Sequence, residues 1–193
     1  MQLNTTTRLP APFLNEMQNF EISPVKGGNV LKLIGENDPR LHEVSIDYPF
    51  DTTTPEETDQ LVLDLSATMR AERGIGLSAV QVGIMYKVIV LEIGGELPLA
   101  IFNPKVVDFG QEAIYSEGCL SYKSLILDIE RPQYIRIRFQ TNSGETVTRK
   151  FEGLSARCVS HELDHLNGVT FTQHVSKLKL DLADRKRKKH LRK

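Results

Sequence analysis

The sequence predicts an α+β domain, with mainly antiparallel sheets packed around a central helix that bears His161-Glu162-Leu163-Asp164-His165. Three observations point there. Apolar residues recur at helical spacing in Leu61, Val62, Leu65 and Met69, and again in Val159, Leu163 and Leu166. Ile135, Ile137 and Phe139 alternate with Arg136, Arg138 and Gln140, the period of a half-exposed strand. Asn142-Ser143-Gly144 then turns the chain into a partner strand running to Phe151, which makes the pairing antiparallel.

Taken in order, residues 1–30 read as a polar arm ending in the turn-rich stretch Pro24 to Gly28. Residues 31–175 form the expected folded domain. Thr54 followed by Pro55-Glu56-Glu57 is a helix start, with a cap, a proline at the first position and early acids. That helix should end before Gly74. Val88 to Ile93 and Leu99 to Val107 read as strands. Leu154 to Asn167 is the motif-bearing helix, with Gly168 as its stop. From Ser176 the chain reads as an exposed basic helix, residues 176–193.

The 193 residues suffice for one domain with a substantial core. A net charge of −1 hides asymmetry: Lys177 to Lys193 holds nine Lys or Arg against two Asp. The rest of the chain is acidic and offers no basic domain face, which argues against DNA. No apolar run approaches a membrane span. Two cysteines without a signal peptide do not suggest a disulfide scaffold, so a cytoplasmic, reducing location is expected.

The chemistry concentrates in HExxH. On a helix His161 and His165 lie at i and i+4, so both imidazoles reach one divalent cation, and Glu162 beside them can take a proton from water. The third ligand decides what such a site does. Phe171 stands where the longer protease pattern needs a histidine, and no glutamate follows Glu162. His174 and Asp181 are off the usual spacings and read as surface residues. Cys158 shares the helical face but sits about 7.5 Å along the axis from the level of the metal at 1.5 Å per residue, beyond the reach of a cysteine side chain, so it reads as a packing residue. Cys119, beside Gly118, remains. A Cys/His/His set leaves the fourth position open, as catalytic sites do.

Three segments in order, Gly74-Ile75-Gly76-Leu77-Ser78-Ala79-Val80-Gln81, Glu117-Gly118-Cys119-Leu120-Ser121 and His161 to His165, resemble the GxGLAAxQ, EGCLS and HExDH motifs of peptide deformylases. Asp38-Pro39-Arg40-Leu41 is similar to a further short motif of that family. The resemblance implies removal of the formyl group from N-formylmethionyl peptides, with Cys119, His161 and His165 on the metal and Glu162 as acid and base. It implies Gln81 and the Leu120 N–H as oxyanion donors, and Ile75, Gly76 and Gly118 along the peptide path. It implies Fe2+, where the donor set alone suggests Zn2+, with Ni2+ a further substitute. It also suggests ribosome docking through the basic tail.

Departures from the family pattern are Ser78, Val80, Tyr122-Lys123, Ile126 where an arginine is common, and Ser160. Arg157 falls where an apolar pocket residue is usual, and is expected to point to solvent rather than narrow the pocket. Glu117 is a candidate to order a ligand histidine, and Asp164 to pair with Arg131. The alternative reading is a metallopeptidase that cuts internal bonds and takes a downstream ligand such as Asp181.

Overall fold

Residues 26–93 and 97–191 are described by a computed structural model; most of the expected N-terminal arm, residues 1–25, lies outside them. Helix α1 spans Pro55–Ala71 and starts as its sequence dictates. Thr54 Oγ1 accepts from the Glu57 N–H at 3.2 Å, and Glu57 Oε2 accepts from the Thr54 N–H at 2.8 Å. This reciprocal pair satisfies two otherwise orphaned donors of the first turn. Leu65 and Met69 are fully buried, while Leu61 and Val62 are partly so. After Ala71 the chain passes through Arg73 at φ +57° and delivers Gly74 to the sheet.

Five antiparallel strands follow in the order β1 Gly76–Ser78, β2 Val88–Leu91, β3 Leu99–Cys119, β4 Tyr122–Gln140 and β5 Thr146–Glu152. β2 reads Val-Ile-Val-Leu without alternation because both its faces are covered. Val88 and Val90 join α1 in one core cluster, while Ile89 and Leu91 join the motif-bearing helix in the other. β3 and β4 form a long hairpin closed at Cys119 and Tyr122. Both outrun the sequence reading. Beyond Val107 the strand exposes Phe109 and Ile114 and carries Gln111 at a positive φ, and its residues do not alternate by polarity. The β4–β5 turn falls at the expected residues, with Gly144 at φ +80°.

Helix α2, Gly153–Leu166, lies against the sheet. Eleven of its 14 residues are buried, so it is the central helix of the domain. Gly168 follows at φ +70°, where a Cβ would also meet the His42 carbonyl oxygen at 2.7 Å. Helix α3, Lys177–Leu191, has no fully buried residue but is not a free tail. Leu180 and Ala183 pack on the larger core cluster, and Arg187 donates to Glu36 at 2.6 and 3.1 Å. Among the described residues no helix is long and apolar enough to cross a membrane.

Candidate metal centre

Two rows of side chains face each other across the interface of β3 and α2. Alternate residues of β3 share one side, which aligns Tyr115, Glu117 and Cys119. Residues four apart on α2 share one face, which aligns Arg157, His161 and His165. Cys119 Sγ lies 3.2 Å from His165 Nε2. One ligand atom from each of Cys119, His161 and His165 lies within 4.8 Å of the others, and all three residues are buried. His161 Nε2 is buried with no hydrogen-bond partner. A buried, unpartnered imidazole nitrogen beside a thiol and a second imidazole fits a divalent cation, which would satisfy it.

The other nitrogen of His161 is fixed. Nδ1 lies 3.0 Å from Glu117 Oε1, and Arg131 donates to both oxygens of the same carboxylate, at 2.8 Å and 3.3 Å. Arg131 also reaches Asp164 at 2.5 Å, and Asp164 accepts from His174 at 2.7 Å. Burial alone would raise the Glu117 pKa, but His161 and Arg131 outweigh it and hold the carboxyl below its usual range. Burial works against a charge on His161, yet its contacts with Cys119 and Glu117 raise its pKa to about 9. His165 goes the other way, pushed well down by burial and then by His161.

Gln81 reaches the same cavity from the 3-10 turn Ala79–Val82. Its Oε1 accepts from the Ser78 N–H at 3.0 Å and the Ser78 hydroxyl at 3.2 Å. The amide nitrogen therefore points inward, 3.4 Å from Cys119 Sγ. Glu162 is fully buried next to Gly76, where a Cβ would come within 3.0 Å of Glu162 Oε1 and 2.3 Å of Cys158 Sγ. The glycine is needed for the approach of β1 to α2, a reason the sequence did not suggest. Leu120 and Gly118 are buried in the hairpin turn beside Cys119, and Ile75 packs against α2.

Cys158 is a packing residue, fully buried, with burial pushing its thiol pKa well up. Phe171, in place of a third histidine, sets its buried ring 5.7 Å from the His161 ring, tilted by 55°. Glu117 and Arg131 take the expected partners. Arg157 does not: it is buried rather than solvent-facing, and donates to Glu117 Oε2 at 3.1 Å. The signal for it was an arginine set among Leu154, Ala156, Cys158 and Val159. A charge on a buried face demands a buried partner of opposite sign. Asp181 lies on α3 and takes no part in the cluster.

A buried Cys/His/His cluster with a helix-borne glutamate, on this α+β frame, marks a metal-dependent hydrolase. The family model for polypeptide deformylase matches residues 30–181. A peptide deformylase of Rhizobium meliloti is 39% identical over 159 residues, covering 77% of this chain and 87% of the relative. The crystal structure of a peptide deformylase from Legionella pneumophila superposes with a TM-score of 0.77 at 31% identity, covering 84% of this chain and 96% of that one. The Met-Ala-Ser-bound class I type b peptide deformylase of Acinetobacter baumannii gives 0.72 at 28% identity, covering 76% and 98%. The chain belongs to the polypeptide deformylase family, hydrolases that remove N-formyl groups.

Proposed function

We propose that Cys119, His161 and His165 hold the metal with which this enzyme hydrolyses the formyl group of N-formylmethionyl peptides. The observation that carries this reading is the convergence of those three donors within 4.8 Å in a buried site. A divalent cation there would supply Lewis acidity and lower the pKa of a water molecule toward about 7. Glu162 takes a proton from the attacking water and returns it to the amine nitrogen as the C–N bond breaks, giving formate and a free amine. Gln81 Nε2, aimed by Ser78, and the Leu120 N–H donate to the oxygen that gains charge. Ile75, Gly76 and Gly118 line the path of the peptide. Met-Ala-Ser in the Acinetobacter relative supports a peptide beginning with methionine.

Fe2+ is the working metal in this reading, with Zn2+ or Ni2+ as substitutes. Metal analysis of anaerobically prepared protein tests it, and full activity with zinc alone would sink the iron preference. Residues 31–175 carry the chemistry, and residues 176–193 dock on the ribosome through the exposed cations of α3. Charge reversal at Lys186 and Lys189 is expected to weaken ribosome binding without slowing turnover of a short formyl-Met peptide. Slower short-peptide turnover would make the helix structural instead. Both described cysteines are free, which suits a reducing cytoplasm.

Formate release from formyl-Met peptides, beside a parallel search for internal cleavage of unformylated peptides, separates this function from a metallopeptidase. Internal cleavage without formate release would reverse the assignment.

A further inference from the structure

Arg157 is more than a tolerated buried charge. Glu117 has no exposed side-chain surface, so the protein alone decides how its carboxylate is turned. Oε1 carries His161 and one nitrogen of Arg131. Oε2 carries Arg157 at 3.1 Å and the longer Arg131 contact at 3.3 Å. Arg131 divides itself between Glu117 and the partly exposed Asp164. Arg157 is anchored independently, donating to the carbonyls of Ala113 at 2.8 Å, Ile129 at 3.1 Å and Tyr115 at 3.4 Å. Its guanidinium also lies 5.1 Å from the centre of the Tyr115 ring.

We propose that Arg157 is a positioning residue for the metal centre, acting through Glu117 to set the ring of His161. With Oε2 held by a group tied to both β3 and β4, the carboxylate cannot rotate about its Cγ–Cδ bond. The Nδ1 hydrogen bond then fixes the imidazole so that Nε2 faces Cys119 and His165. Arg157 also gives Glu117 a second guanidinium, where Arg131 is shared with Asp164. Partners that orient ligand histidines typically change metal affinity by about 10–100-fold when removed.

The inference rests on His161 being a ligand, and one experiment separates the two claims. The full chain is titrated with Co2+ against a competing chelator, following the visible absorption of thiolate-bound cobalt. Wild type, Arg157→Met, Glu117→Gln and the double variant are compared. Stoichiometric binding by wild type upholds the ligand set, and its absence would remove the basis of both claims. Arg157→Met is expected to weaken binding about tenfold and to shift the cobalt bands. The double variant is expected to bind within about threefold of Glu117→Gln alone, because Arg157 has nothing left to act through. Arg157→Met within twofold of wild type, or losses that multiply in the double variant, would overturn the proposal. Should Arg157→Met fail to fold, Arg157→Gln takes its place in the cycle, since it also removes the charge and is read by the same two criteria.

Discussion

Helices α2 and α3 are both rich in charged and polar groups, and they treat them in opposite ways. α2 buries Arg157, His161, Glu162 and His165, and the partners of Arg157 and His161 lie across the interface on β3 and β4. α3 buries none of its residues fully, and most of its cations extend into water. Desolvating a charge is costly unless it is paired, so a buried charge is informative about function and an exposed one rarely is. The one exception on α3 repeats the lesson. Arg187 is 13% exposed, and it is the cation that finds Glu36 as well as Asp184.

If this contrast is right, changes on the α2 side should dwarf changes on α3. Cys119→Ala removes one of the three proposed ligands and is expected to yield protein without bound metal, with formate release at background, as read by metal analysis and a formate assay. Retained stoichiometric metal would transfer the third ligand elsewhere. Gln81→Ala is expected to keep the metal and lower kcat by about 10²–10³, the usual loss for one oxyanion donor. An equal fall in metal content would instead make Gln81 a structural brace.

The pH dependence follows from the same groups. His161 has a pKa raised from 6.5 to about 9, so its contribution to stability is complete below pH 6.5 and is lost as pH rises through about 9. Glu117 has the opposite sign: its contribution is present above its ordinary pKa of 4.5 and lost as pH falls below it. Chelator-treated protein should therefore lose Tm between pH 6.5 and 9, and Zn2+, which requires a neutral imidazole, should flatten that slope. A slope unchanged by zinc would contradict the assignment of His161. At the small end, Lys188→Gln breaks only the exposed pair with Asp184. It is expected to shift Tm by less than about 2 °C in thermal unfolding, since such pairs contribute roughly 0.3–0.5 kcal/mol.

The site was far more legible in the sequence than the sheet. Cap, proline and acids at Thr54 to Glu57 fixed the start of α1, and Gly168 marked the end of α2, because those local rules need no knowledge of the rest of the fold. The three donors that converge, Cys119, His161 and His165, were legible because the histidine spacing obeys helix geometry and such a donor set tolerates few residue types. Most of β3 was not. From Asp108 to Ser116 the strand keeps one register with β4, but none of its residues is buried, so no inside–outside period of polarity is imposed on the sequence. Arg157 was misplaced because the polarity of a residue predicts its exposure only until a buried counter-charge exists, and Glu117 lies 40 positions away in the chain. The docking of α3 was hidden for the opposite reason, since three inward residues, Leu180, Ala183 and Arg187, are outvoted by the cations around them.

The central claim is that Glu162 moves the proton in a deformylation supported by Cys119, His161 and His165. Formate release from a formyl-Met peptide by wild type and Glu162→Ala, with metal content determined on the same samples, tests it directly. The expected result is full metal occupancy in both and a loss of about 10²–10⁴ in kcat for the variant. Undiminished formate release from Glu162→Ala would contradict it.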